Sequence, residues 1–142
     1  MVQIAAALQA LHRKFIIRRC LSPENILIRK GDGVVFLTDL ELSKVHDGSP
    51  TVKDHVQENP YQALEVSTGD DLDVTADLYS WGRIFVHAGC GTLPSRNNEK
   101  PIVARIACSD EIKRVVERCV AMVHTDRPKS MDDVLAVFQR VK

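Results

Sequence analysis

One segment constrains the fold more than any other, the run ADLYSWGRIFVHA that follows Thr75. Written on a helix, it is apolar on nearly all sides, which is typical of a helix at the centre of a domain. The glycines of Gly89-Cys90-Gly91 and then Pro94 mark its end. The rest of the chain must therefore surround this helix, and 142 residues with 44% hydrophobic content can form one such core.

Three further helices are predicted. Residues 2–12 are rich in Ala, Leu and Gln without a breaker and predict a largely buried helix. Ser109 is placed to cap a helix over residues 110–122, with an apolar face made of Val115, Val116, Cys119 and Val120. Ser130 is placed to cap a last helix over residues 131–140.

A single β-hairpin is predicted among these helices. The apolar run Ile26, Leu27, Ile28 is turned by Gly31-Asp32-Gly33 into a second run, residues 34–37. The polar stretch 43–59 lacks periodicity and predicts a loop, and the segment 91–104 favours neither state. We expect a mainly α fold with a small β-hairpin, in one domain over residues 1–142.

Charge balance, cysteine spacing and the first residues limit which partners and which cellular compartment the sequence indicates. Nineteen basic side chains balance nineteen acidic ones, so no net field attracts nucleic acid or an anionic membrane. The four cysteines, Cys20, Cys90, Cys108 and Cys119, form no C-x-x-C pair, which favours reduced thiols over zinc or disulfides. The first residues place apolar before basic side chains, the reverse of a secretory signal, and no run could span a membrane. We expect the cytoplasm or the nucleus.

Five short motifs occur in an order and spacing that resemble those of protein kinases. Residues 18–21 and Asn25 stand where that family has His-Arg-Asp-Leu and the catalytic-loop Asn, and residues 39–41 stand where it has Asp-Phe-Gly. Residues 63–65 are similar to Ala-Pro-Glu, residues 77–82 to the Asp-x-Trp-Ser-x-Gly of the central helix, and Arg127-Pro128 to the Arg-Pro before the last helix. The resemblance covers nearly the whole chain.

The resemblance implies the large, carboxy-terminal lobe of a kinase. The glycine-rich loop, the nucleotide-gripping lysine and its partner glutamate of the small lobe have no counterpart in the sequence. We therefore expect the small, amino-terminal lobe to be absent.

The catalytic base is the residue that departs most from the family pattern. Cys20 occupies the position of the loop aspartate, while Arg19 and Asn25 of the loop are retained. A thiol is a poor hydrogen-bond acceptor, so we expect no intact catalytic set and no proton acceptance. Next to Arg18 and Arg19, Cys20 is either a reactive thiol of low pKa or, as we favour, an inert packing residue.

A vestigial metal site is implied by the same resemblance. Asn25 and Asp39 match the family's magnesium ligands, and both offer the oxygen atoms that hard cations prefer. Alternatively, the Asp39 carboxylate is satisfied by neighbouring backbone donors. We expect no cofactor, with magnesium and ATP bound only if a small lobe completes the site.

Three charged residues are expected to have structural roles, and a fourth has two possible roles. Glu65 and Arg127 match an ion pair of the family that ties the activation segment to the last helices, and Asp77 matches the central-helix acid that holds the catalytic loop. Arg18 replaces a buried histidine, so it either pairs with Glu41 or extends toward an open face.

Two functions remain in competition. The first is a non-catalytic, pseudokinase-like module that binds another protein, or a second copy of itself, through its activation-segment surface and the open lobe face at residues 2–12 and the hairpin. The second is a fragment of an ATP-binding protein kinase whose small lobe lies outside this chain. Neither function involves nucleic acid or a membrane.

Overall fold

The architecture is mainly helical, as the sequence predicts, and the computed structural model describes residues 1–40, 44–45, 59–68, 72–96 and 98–141. Its helices are α1 (Val2–His12), α2 (Leu64–Thr68), α3 (Thr75–Cys90), α4 (Glu99–Val103), α5 (Asp110–Cys119) and α6 (Met131–Arg140). Its strands are β1 (Ile16–Ile17), β2 (Ile26–Ile28), β3 (Val35–Leu37) and β4 (Lys44–Val45), and single 3₁₀ turns cover Pro23–Asn25 and His124–Asp126.

Helix α3 is the centre of the core, which confirms the main prediction. Every residue from Thr75 to Ile84 is buried, polar side chains included. Trp81 is fully buried and packs on Phe85 and, edge to face, on Phe138 of α6. The helix continues through Gly89 and ends where Gly91 takes a left-handed conformation, φ 75°, so the first glycine of the predicted stop does not break it.

Helix α5 approaches α3 closely at Gly82. A Cβ atom added there would lie 2.9 Å from both the Cβ of Cys119 and the Cγ1 of Val120. The predicted apolar face of α5 is buried, and the helix ends at Cys119 rather than at residue 122. Both predicted caps are confirmed: Ser109 accepts the Ile112 N–H, and Ser130 forms a capping box with Asp133.

Two antiparallel strand pairs are present in the described part of the chain. The predicted hairpin is confirmed, with Ile26 opposite Leu37 and Ile28 opposite Val35. The expectation of a single hairpin was wrong, because β1 pairs with β4, Ile17 opposite Lys44. Strands of two residues are too short to show periodicity, and β4 falls inside the predicted loop 43–59. Residues 46–58 of that loop lie outside the described residues.

Helix α1 is only half buried, which corrects the prediction of a largely buried helix. Ile4, Ala5 and Leu8 face the core, where α1 packs against α6. The Gln3 side chain binds the hairpin, accepting the Val35 N–H at 2.9 Å and donating to the Gly33 carbonyl at 3.2 Å. The apolar face of α1 is therefore covered by the chain itself, and the face expected to be open is narrower than residues 2–12.

Exposed large apolar side chains occur on the hairpin strands and at scattered positions elsewhere. Those on the hairpin are Leu27, Ile28 and Phe36, and the others are Val2, Phe15, Leu40, Leu64 and Val123. Leu27 and Phe36 are directly opposite each other on β2 and β3. None of the described helices combines the length and the apolar character that a membrane span requires.

Phe15 combines exposure with backbone strain. It follows α1 in a left-handed conformation, φ 58°, and its side chain is 68% exposed. A bulky residue in this region costs about 1–2 kcal/mol, which glycine avoids. No packing offsets that cost, because the ring faces solvent.

We predict that Phe15→Gly stabilises the fold by about 1 kcal/mol, because the relief of strain exceeds the gain of backbone entropy in the unfolded chain. The matched control is Lys14→Gly next to it, where no positive φ exists and the change should destabilise by about 0.5–1 kcal/mol. Urea denaturation of the two variants and the parent measures this. Equal destabilisation by Phe15→Gly and Lys14→Gly would show that the backbone at Phe15 is not strained.

Candidate functional site

The Asp77 carboxylate fixes the segment that carries the candidate site. Asp77 lies in the first turn of α3 and is fully buried. Its Oδ2 accepts the backbone N–H of Arg18 at 2.7 Å and its Oδ1 accepts that of Arg19 at 2.8 Å. His12 Nε2 lies 2.8 Å from Oδ2. The carboxylate thus joins α1, α3 and the segment 18–25 at one point, as the resemblance implies for this acid.

Strained backbone marks the two ends of the site. Arg19 and Asp39 both have left-handed conformations, with φ 68° and φ 55°. Non-glycine residues in this region cost about 1–3 kcal/mol each and concentrate where a fold holds functional groups. At Arg19 the consecutive N–H groups of residues 18 and 19 both reach Asp77, so the anchor stabilises the strained turn.

Arg18 is fully buried, so the alternative in which it extends toward an open face is wrong. Its Nη2 donates to the Thr38 carbonyl at 2.5 Å, and among the described residues its Nε and Nη1 have no hydrogen-bond partner. Burial lowers the pKa of Arg18, while Asp77, Cys20 and Asp39 raise it. The expected partner Glu41 lies outside the described residues.

Cys20 is buried where the resemblance places the base. Burial raises the pKa of its thiol, and this effect outweighs the opposite influence of Arg19 and Arg18. The group is therefore a neutral thiol at neutral pH, with neither the charge nor the lone-pair strength of a carboxylate. The direction of the shift contradicts the reactive-thiol alternative and agrees with an inert packing residue.

Asn25 and Asp39, the expected magnesium ligands, are in contact. Asn25 Nδ2 donates to Asp39 Oδ2 at 2.9 Å, and Thr38 Oγ1 reaches the same oxygen at 3.2 Å. Side-chain donors, rather than the backbone donors of the alternative hypothesis, therefore satisfy this carboxylate. Asn25 Oδ1 accepts from Ser22 Oγ at 3.0 Å.

The pair fits a magnesium ion in its chemistry. A hydroxyl can donate or accept, so rotating the Asn25 amide would turn its oxygen toward Asp39 while keeping the Ser22 contact. Asp39 is exposed and has lone pairs available. Two oxygen donors are fewer than magnesium requires, and the remainder would come from water or phosphate. Among the described residues no group of three or more His, Cys, Asp or Glu side chains could hold a metal.

Glu65 and Arg127 form an ion pair away from this site. Arg127 is fully buried, and both its Nη atoms donate to the Glu65 carboxylate. The same guanidinium donates to three backbone carbonyls, those of Ala121, Met122 and Thr75, and lies 4.8 Å above the Tyr79 ring. All five of its donors have partners, so Arg127 joins α2, α3 and the turn before α6.

Sequence reasoning missed a second buried ion pair. Arg83 of α3 and Glu99 of α4 are both buried and in contact, and Arg83 Nε also donates to the Pro60 carbonyl at 3.1 Å. Next to it Tyr61 Oη lies 2.6 Å from His87 Nδ1. Arg83 stands inside the apolar α3 pattern and could have predicted an ion pair, since buried charges need partners. Its partner, Glu99, lies in the segment 91–104, for which the sequence favoured neither helix nor strand.

We predict that Arg127→Ala destabilises the chain by roughly 3–5 kcal/mol, because Glu65 is left as an uncompensated charge. Arg127→Ala/Glu65→Ala removes that charge and should recover part of the loss, while three carbonyls remain without donors. The exposed Arg118→Ala is the control and should stay within about 0.5 kcal/mol of the parent. Chemical denaturation measures all three variants. An unchanged midpoint for Arg127→Ala would contradict the pair's structural role.

Comparison with known proteins finds similarity to protein kinases along most of the chain. The model of the protein kinase domain matches residues 1–138. A probable serine/threonine-protein kinase of Clostridium perfringens is 27% identical over 94% of this chain. The cGMP-dependent protein kinase of Plasmodium berghei is 36% identical over 68% of the chain, and the RAC-beta serine/threonine-protein kinase of Rattus norvegicus is 30% identical over 78%.

These relatives are much longer proteins. The chain spans 19% of the Clostridium kinase, 11% of the Plasmodium kinase and 23% of the rat kinase. The likeness therefore concerns one region of each relative. Because the kinase-domain match covers nearly all of the 142 residues, this chain belongs to the protein kinase family.

Proposed function

We propose that this chain is a catalytically inactive, pseudokinase-like large lobe that acts as a protein-binding or scaffolding module. The observation that carries the proposal is Cys20, a buried neutral thiol at the position of the catalytic base. Phosphoryl transfer needs a group that orients the acceptor hydroxyl and takes its proton. A protonated thiol does neither.

The contacts of Asp77 and Arg127 support a fold that is stable without catalytic activity. Asp77 binds the backbone of the segment 18–25, and Arg127 joins α2, α3 and the turn before α6. Neither contact requires a catalytic base at position 20. Residues 1–142 also contain no glycine-rich loop with a following lysine to grip phosphates. The chain therefore offers a folded lobe with a partial site.

The exposed apolar side chains support binding to a protein. Leu27 and Phe36, which are opposite each other on β2 and β3, form what we call the exposed hairpin patch, and Ile28 is exposed on the other face of the hairpin. Such patches are usually covered by a partner or a second copy. The strained, exposed Phe15 supports the same function, because a residue kept at a cost to stability is typical of a recognition site.

A second candidate is a region of an ATP-binding protein kinase. It is favoured by the contact between Asn25 and Asp39, since both magnesium ligands survive, and by relatives that are several times longer than this chain. A glycine-rich loop and a Val-Ala-x-Lys strand encoded directly upstream of Met1 would favour this candidate. A reading frame without them would favour the binding module.

We predict that the chain transfers no phosphate from radiolabelled ATP to generic acceptor proteins, and that Cys20→Asp alone does not restore transfer. Loss of a general base costs typically 10²–10⁴-fold, and loss of nucleotide positioning costs more. The assay compares the parent, Cys20→Asp and Cys20→Asp/Asp39→Ala with magnesium present.

Two results would contradict this prediction. Magnesium-dependent labelling by the parent would show that Cys20 does not abolish catalysis. Labelling by Cys20→Asp that disappears in the Cys20→Asp/Asp39→Ala variant would show that the base alone was missing and that the metal pair still functions.

A further inference from the structure

A groove of about 630 Å³ separates α5 from α6, on a surface that includes neither the exposed hairpin patch nor the Asn25–Asp39 pair. Four cations line it: Arg114 and Arg118 from α5, Lys129 before α6, and Arg140 at its end. The chain has no net charge, so this local excess of cations does not follow from a basic composition.

The cations of the groove are not neutralised by carboxylates. Among the described residues none of the four has a carboxylate partner within ion-pair distance. Arg118 and Arg140 each donate only Nε, to the carbonyls of Asp126 and Ala136. The ends of both guanidinium groups therefore remain available for an anionic ligand.

Two carboxylates also line the groove, and one of them is already engaged. Asp133 Oδ2 accepts the N–H groups of Lys129 and Ser130 at 3.0 and 3.1 Å, as part of the cap of α6. Glu111 stands in the first turn of α5, three residues before Arg114. The four cations that line the groove therefore exceed its two carboxylates by two.

The floor of the groove is apolar. Val115 and Pro128 are buried beneath it, and Val137 is half-buried on the α6 side. The α5 wall therefore carries Arg114 and Arg118, and the α6 wall carries Ala136 and Val137 between Asp133 and Arg140. This combination suits a peptide with acidic and apolar side chains better than a single-stranded nucleic acid, because no aromatic side chain on which a base could stack is among the residues that line the groove.

The spacing of Arg114 and Arg118 determines which residues of a bound peptide can reach both side chains. Arg114 and Arg118 are four residues apart on one face, which separates them by about 6 Å along the helix. In an extended peptide, alternate residues are about 6.6 Å apart and point the same way, while the residue between them points to the opposite side.

We propose that the α5–α6 groove binds an extended acidic peptide of the pattern acidic–apolar–acidic. Its two carboxylates pair with Arg114 and Arg118 in charge-assisted hydrogen bonds, and the apolar residue between them contacts Val137. The groove gives the chain a second protein-binding surface, which does not depend on the hairpin patch. A failure of this proposal would leave the proposed function unaffected.

The test uses the full chain and a fluorescein-labelled peptide centred on Glu-Leu-Glu, with a Gln-Leu-Gln peptide as the ligand control. Fluorescence anisotropy at low salt should show binding of the acidic peptide, weakened by added salt, and at least about tenfold weaker binding of the amide peptide. Arg114→Gln/Arg118→Gln should weaken acidic-peptide binding by roughly tenfold or more. Circular dichroism checks that each variant is folded.

The matched control is Lys14→Gln/Arg105→Gln, which removes the same charge from exposed positions outside the groove. It should bind the acidic peptide within about twofold of the parent, because its charges lie outside the groove. Equal weakening by both double variants would overturn the proposal in favour of a diffuse electrostatic effect. Equal binding of the two peptides, or tighter binding of single-stranded RNA or of phosphatidylserine vesicles than of the acidic peptide, would also overturn it.

Discussion

The rest of the structure depends on one buried carboxylate. Asp77 has no exposed surface, and it accepts the backbone N–H groups of Arg18 and Arg19 while contacting His12. A hydrogen bond to a charged group contributes about 1.5–3 kcal/mol, and an unpaired buried carboxylate costs more. The segment 18–25 is therefore held against α3 whatever side chain stands at position 20. The scaffold therefore does not depend on a catalytic base at that position.

Three buried arginines, Arg18, Arg83 and Arg127, also bind backbone groups of neighbouring segments through a buried charge. Arg127 pairs with Glu65 and Arg83 pairs with Glu99, and each also donates to backbone carbonyls of neighbouring segments. Arg18 donates to the Thr38 carbonyl next to Asp39. Because guanidinium groups have five donors, each one can satisfy several carbonyls that irregular segments leave without partners. Arg18 thus holds the segment before Asp39 at the candidate site, while Arg83 and Arg127 fix segments away from it.

The sequence predicted elements with strong local signals and missed those fixed by distant contacts. The all-round apolar α3, the Ser109 and Ser130 caps and the Ile26–Leu37 hairpin each have a local physical cause and were confirmed. The β1–β4 pair and the short helices α2 and α4 are too short to carry a period. At the site, motif spacing identified Asn25, Asp39 and Asp77. Burial of Arg18 and the raised pKa of Cys20 arise only from tertiary packing, which no local pattern reports.

We propose that this kinase-family fold binds a partner or a second copy of itself through the exposed hairpin patch. The proposal is tested by sedimentation velocity of the purified chain at high concentration, with uptake of a hydrophobic dye recorded alongside. We expect self-association and dye uptake by the parent, both reduced in Leu27→Ser/Phe36→Ser and retained in the control Val2→Ser/Val123→Ser, which alters exposed apolar residues elsewhere. A parent chain that sediments as a clean monomer and takes up no dye would contradict binding through this patch.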